Sequence, residues 1–165
     1  MASIIKVDTI QTAAGGTPTA ADLGLNTTGT VLQVINATTS TETTETSGSW
    51  VDTTLTATIT PTSTSSKILV TVHQTGLGKQ SGNTSVDLRL LRDSTVLKQF
   101  ERAAFDAGTG YVRPAGSGIT YLDSPSTTSA VTYKTQLQND DASGTVIVQM
   151  NGAANSSITL MEIAG

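Results

Sequence analysis

The sequence predicts an all-β fold, an antiparallel β-sandwich or jelly roll carrying an extended N-terminal arm. Three observations carry that expectation. From Thr30 onward about nine or ten short strand patterns follow one another, with turn signals roughly every 8–14 residues, a spacing suited to two packed antiparallel sheets. Thr and Ser together supply roughly 30% of the chain, and Thr, the commoner, alternates with aliphatics as β-branched residues do on a pleated, half-solvated surface. No stretch of useful length carries a helical period.

Residues 1–29 form the first unit. "IIKVDTI" alternates weakly, as an edge strand or extended arm does, and Gly15-Gly16 break it. "TPTAADLG" reads as one helical turn, with Thr17 or Thr19 as N-cap, Asp22 three residues after Thr19, and Gly24 as the stop. Such a segment has too little apolar surface for a core of its own. It is either a disordered leader or a docking arm, and as an arm it would hold a partner surface through Ile4, Ile5, Val7, Ile10, Leu23 and Leu25.

Residues 30–165 form the β domain. "TVLQVIN" gives a strand from Val31 to Ile35, and "TTSTETTETSGS" a polar loop. In "WVDTTLTATITP" the residues Leu55, Ala57 and Ile59 share one face while Thr54, Thr56, Thr58 and Thr60 share the other, and Pro61 ends the run. "KILVTVHQT" is the strongest strand, with Ile68, Val70 and Val72 inward, and "LGKQSGN" reads as a Gly-rich turn. "TSVDLRLLRDSTVLKQF" is a hairpin turning at Arg92-Asp93-Ser94, and "DAGTGYVRPAGSG" is the least regular stretch. "ITYLDSP", "AVTYKTQLQ", "TVIVQMN" and "SITLMEI" complete the strands. The apolar faces are thin, and Ile68-Leu69-Val70 and Val146-Ile147-Val148 are apolar at successive positions. Strands apolar on both faces have both faces covered, so a trimer that buries the surplus is expected.

Composition removes several function classes. Charged residues make up 13% of the chain, against roughly 25% in an average globular protein, and the net charge is −4 with no basic stripe, so no nucleic-acid partner is expected. No run of about 18 apolar residues predicts a membrane span. The N-terminus shows no basic segment followed by an apolar one, so cytoplasmic synthesis is the default expectation. The chain has no cysteine, which excludes disulfides and thiol chemistry. The four Asn-x-Ser/Thr triplets, at Asn26, Asn36, Asn83 and Asn155, are what chance gives in a chain so rich in Ser and Thr.

No pattern in the chain reads as a catalyst, and no cofactor or metal is expected. His73 is the sole histidine and falls on the Thr-bearing face of its strand, without an adjacent base or orienting group. Asp140-Asp141 read as a turn, "GLGKQSG" lacks the Lys-Ser/Thr ending and the helix of a phosphate loop, and zinc has no ligand set. Among the aromatics, Trp50, Tyr121 and Tyr133 are expected to supply core bulk. Tyr111 and Arg113 lie in the irregular "GTGYVRPAG" stretch and are the candidate receptor contacts, an aromatic face and a polar group suited to a host surface glycan.

Two sets of residues carry a resemblance. "IIKVDTIQTAAGGTPTAADLGLN" resembles the N-terminal segment of virion structural proteins of tailed phages, especially marine ones infecting cyanobacteria and other aquatic bacteria. "GTVLQVINATTSTET", "SWVDTTLTATITPTSTSSKILV", "LRLLRDSTV", "YLDSPSTTSAVTYKTQ" and "ITLMEIAG" resemble the β-sandwich module that recurs in those proteins. The resemblance implies a homotrimeric tail-fibre or tail-appendage subunit, made in the host cytoplasm and anchored to tail or capsid proteins of the virion through its arm. It implies no enzyme activity and brings no catalytic motif. A capsid decoration protein of the head-fibre or cement type, or a carbohydrate-binding host-recognition module, would carry the same sequence features.

Overall fold

The computed structural model describes residues 9–18, 22–24, 27–102, 110, 116–152 and 154–165. Eleven strands account for the ordered part of the described chain. They are β1 (Val31–Thr39), β2 (Thr43–Glu45), β3 (Val51–Ile59), β4 (Lys67–Thr75), β5 (Gly78–Ser81), β6 (Val86–Arg92), β7 (Thr95–Glu101), β8 (Gly116–Asp123), β9 (Val131–Asn139), β10 (Thr145–Val148) and β11 (Ser156–Ile163). One 3-10 turn, Met150–Gly152, is the only helical element among the described residues, so none of them belongs to a helix long and apolar enough to cross a membrane.

The strands form three sheets, ordered β1-β11-β4-β8, β2-β10-β5 and β3-β9-β6-β7, and every pairing is antiparallel. The small sheet keeps the lateral order of its neighbour, because β1 runs on into β2, β4 into β5, and β10 into β11. Gly76 marks the break in the β4–β5 path. Its φ of 62° is left-handed, and a Cβ there would press on the Met150 amide nitrogen 2.6 Å away. Across the same break Gln149 N donates to the Thr75 carbonyl at 3.0 Å and Met150 N to the Gly76 carbonyl at 3.1 Å, so backbone groups freed by the kink find partners.

Side-chain alternation assigns the faces. On β3 the inward set is Thr53, Leu55, Ala57 and Ile59, and the outward Thr54, Thr56 and Thr58 are exposed. Leu55, Ile59, Val70, Val72, Leu90, Tyr133, Ile158 and Leu160 join in one buried cluster, contributed by both four-stranded sheets. A second cluster of Leu77, Val86, Leu88, Leu137, Val146 and Val148 lies between the small sheet and β6 and β9. Where the two meet, the interior turns polar. Thr53 and Thr135 share a hydrogen bond at 2.6 Å, Thr135 Oγ1 donates to Gln74 Oε1 at 2.9 Å, and Ser156 Oγ takes Thr75 N at 2.9 Å and Gln149 Nε2 at 2.8 Å. This belt follows the line where β4 and β10 break, and its Thr, Gln and Ser side chains are fully or almost fully buried.

Several expectations change. The all-β, antiparallel expectation holds, with two short strands, β2 and β5, where the pattern had placed loop and turn. β2 falls inside the expected polar loop, and β5 inside the expected Gly-rich turn, with Lys79 almost fully buried. Both are edge segments of the small sheet, held by backbone pairing to β10, so their polar side chains gave no alternation to read. Val146, Ile147 and Val148 are all fully buried within a single chain, so covering them needs no sister subunit. Tyr133 lies in the core and Tyr121 packs against it, whereas Trp50 belongs to neither cluster and packs under the Arg89 guanidinium, 4.1 Å from the ring centre. The Arg92-Asp93-Ser94 turn is as expected, with Asp93 at φ 52° and its carboxylate accepting from Thr132 N at 2.9 Å. Of the expected helical turn near Pro18, residues 22–24 form a turn that ends on Gly24, while Thr19 to Ala21 lie outside the described residues.

Candidate docking surface

The residues singled out in the sequence fall in different places. Ile4, Ile5, Val7 and Leu25 of the arm lie outside the described residues, as do Tyr111 and Arg113. Ile10 and Leu23 are described, and they expose 52% and 44% of their surface in the single chain. The chain enters β1 beside the end of β11. Gly29 N donates to the Ala164 carbonyl and Ala164 N to the Thr30 carbonyl, each at 2.8 Å.

The outer face of the β1-β11-β4-β8 sheet can be read rung by rung from its register. One rung is Thr38, Ser157, His73 and Gly118, and the next is Asn36, Thr159, Thr71 and Thr120. His73 is exposed there, as its strand position implied, among hydroxyl neighbours. The following rung is Val34, Met161, Leu69 and Leu122, one apolar side chain on each of four adjacent strands. Val34 and Leu122 expose 54% and 51%, and Met161 and Leu69 between them are half-buried. Beyond this rung Val31 pairs with Ile163, whose other neighbour is the exposed Lys67, so the apolar band continues on β1 and β11 to the chain's entry at Thr30.

A buried carboxylate fixes this alignment. Glu162, fully buried on β11, accepts from Gln33 Nε2 at 2.6 Å and from Thr62 N and Thr62 Oγ1 at 2.7 Å. Gln33 also donates to the Thr60 carbonyl at 2.8 Å, so the pair joins β1, β11 and the β3–β4 connection. Burial pushes the Glu162 carboxyl upward, yet the hydrogen bonds from Gln33 and Thr62 outweigh it and leave the group below the usual carboxylate range. Glu45 behaves alike. Burial raises it, and hydrogen bonds from Ser47 and Gly48 prevail and hold it low while closing the β2–β3 loop. Asp123 binds Arg92 Nη1 at 2.6 Å and Tyr133 Oη at 2.7 Å, tying β8 to β6 and β9. Burial and the Asp123 carboxylate push the Tyr133 phenol far above its ordinary value, so it stays a hydrogen-bond donor.

The outer face of the β3-β9-β6-β7 sheet is of another character. Asp52, Gln136, Arg89 and Gln99 form one rung. Asp52 accepts from Lys134 Nζ and Gln136 Nε2 at 2.6 Å each, and Gln136 Oε1 accepts from Arg89 Nε at 2.8 Å. Burial raises the Asp52 carboxyl, and hydrogen bonds from Lys134 and Gln136 with the charges of Lys134 and Arg89 bring it below its ordinary value. Both Asp52 oxygens are thus taken up within the face, which makes this network a brace rather than a ligand cradle. Among the described residues no group of three or more His, Asp or Glu comes together, and Asp140 and Asp141 sit exposed in their turn.

What the geometry offers is an exposed apolar rung near the chain's entry into β1. Sequence reasoning noticed only Leu69 of the four, as part of a doubly apolar run. Val34, Leu122 and Met161 each carried the same signal, an aliphatic or thioether side chain on the outward parity of its strand, but only the register places them on one line. Compared with known proteins, the chain matches no family model and no curated protein.

Proposed function

We propose that the protein is a structural subunit of a tailed-phage virion, a small trimeric tail-fibre or tail-appendage subunit anchored by residues 1–29. Strand order is the observation that carries the reading. Counting β1–β2, β4–β5 and β10–β11 each as one bent strand gives eight, arranged 1-8-3-6 in one layer and 2-7-4-5 in the other. First and last strands are neighbours, and the chain passes between layers at almost every connection. That order supports a jelly-roll sandwich, the architecture of viral capsid and lectin domains. The resemblance of "IIKVDTIQTAAGGTPTAADLGLN" and of the strand segments to phage virion proteins supports the particle as its setting, and the exposed Ile10 and Leu23 support the arm as the part that docks.

Folding and attachment then reside in different parts of the chain, since both core clusters begin after residue 30. A virion assembled with a subunit lacking residues 1–29 tests this. The truncated protein is expected to keep its β-sheet circular dichroism and its cooperative unfolding, yet to be missing from purified particles. Incorporation of the truncated protein at the full-length level would refute the anchoring role.

A further inference from the structure

We propose that the apolar rung Val34–Met161–Leu69–Leu122 is the acceptor for the N-terminal segment Ile4–Ile10 of a second copy of this chain. The inference rests on the docking-arm reading and names the surface that the arm holds. Among the described residues, the exposed large apolar side chains are Val31, Val34 and Leu122 on this face, Ile10 and Leu23 before the domain, and Val96 alone on β7. The rung stays open at Val34 and Leu122 with the chain's own arm attached at its edge, through Gly29 and Ala164. An exchange between copies that seats Ile4–Ile10 on the rung covers the rung. Because donor and acceptor are different surfaces, the contact is head-to-tail, and it closes into a ring when the rotation between copies allows.

Size selects the segment over a whole sheet face. Val31, Val34 and Leu122 each show about half their surface, on the order of 80 Å² apiece, and the half-buried Leu69, Met161 and Ile163 bring the band to roughly 300–400 Å². A stable whole-subunit contact takes about 800 Å² per partner. The rungs that would supply the rest are Thr, Asn, Ser, His and Gly. Length agrees as well. Four strands span three gaps of about 4.8 Å, roughly 14 Å, and an extended run from Ile4 to Ile10 covers about 20 Å. Its apolar members are Ile4, Ile5, Val7 and Ile10, and alternation in an extended run would set Ile5 and Val7 against the rung with Ile4 and Ile10 on the other side.

The natural chain has no cysteine, so single engineered thiols report contacts cleanly. Full-length Val7→Cys and a mass-tagged full-length Leu122→Cys are co-expressed and treated with a short bis-maleimide. A mixed-mass dimer is expected, with little or none when the tagged partner is Thr58→Cys, on the exposed outer face of the other sheet. Absence of the mixed dimer, or an equal yield with Thr58→Cys, overturns the proposal. Crosslinking of Leu122→Cys to itself at the same yield overturns it in favour of a second copy's sheet face. Crosslinking only within one chain carrying both thiols overturns it in favour of the chain's own arm. Presence of the protein in purified particles is scored separately, so failure of the acceptor site and failure of the virion reading give different results.

Discussion

Replacing Glu162 by Gln keeps the side-chain shape and removes the charge from the group that aligns β1, β11 and the β3–β4 connection. The carboxylate receives three donors, one from Gln33 and two from Thr62. An amide offers one acceptor oxygen. If that oxygen faces Thr62, the new NH₂ opposes Gln33 Nε2, which is already committed to the Thr60 carbonyl. If it faces Gln33, the NH₂ opposes the Thr62 backbone N–H. Either way one charge-assisted hydrogen bond is lost at a buried site, a cost of about 1.5–3 kcal/mol. For a chain of this size that lowers Tm by roughly 3–12 °C. The pH signature is the sharper part. Glu162 titrates below its ordinary range in the folded protein, so its contribution is fully present above the unfolded pKa of about 4.3 and is lost as pH falls through the folded value. Glu45 and Asp52 also titrate low, so the wild type loses stability over the same acid window, but those losses are common to both proteins. Denaturant unfolding, followed by Trp50 fluorescence between pH 7 and pH 3, should show a wild-type advantage at neutral pH that narrows below about pH 4. An advantage that is absent at pH 7, or unchanged at pH 3, refutes the role given to this carboxylate.

Other positions give quicker tests. Thr135→Val leaves the Gln74 Oε1 acceptor and Thr53 without their shared hydroxyl in the polar belt, and should cost about 1–3 kcal/mol in urea unfolding; a neutral result would mean that the belt is not cooperatively bonded. Gly144→Ala places a Cβ against the Ser81 carbonyl at a residue with φ 72°, and should cost roughly 3 kcal/mol or more, or abolish soluble expression; wild-type thermal stability would show that the β5–β6 and β9–β10 turns do not press together.

The parts of the fold legible in the sequence were those where an apolar residue recurs every second position. "TLTATI" and "KILVTV" announced their inward faces through Leu55, Ala57, Ile59, Ile68, Val70 and Val72, and all six are buried. Thr53 and Thr135 obey the same parity and are equally buried, but a hydroxyl on a Thr-rich strand looks solvated until its partner across the core is known. β5 escaped notice for a related reason, since "GKQS" has no apolar residue and its pairing to β10 is made by the backbone. The apolar rung was the least legible element. Positions 34, 69, 122 and 161 are far apart in the chain, and a shift of one residue in any of three pairings would scatter them to opposite faces. Glu162 and Gln33 help to hold that register, and neither stood out as a motif.

The most direct test of the proposed virion role is the copy number of this protein in purified phage particles, by quantitative mass spectrometry against the major capsid protein. A symmetric tail appendage built from trimers predicts roughly tens of copies per particle. A count in the hundreds would contradict the appendage and move the subunit to the capsid surface, and its absence from particles would contradict the proposed virion role itself.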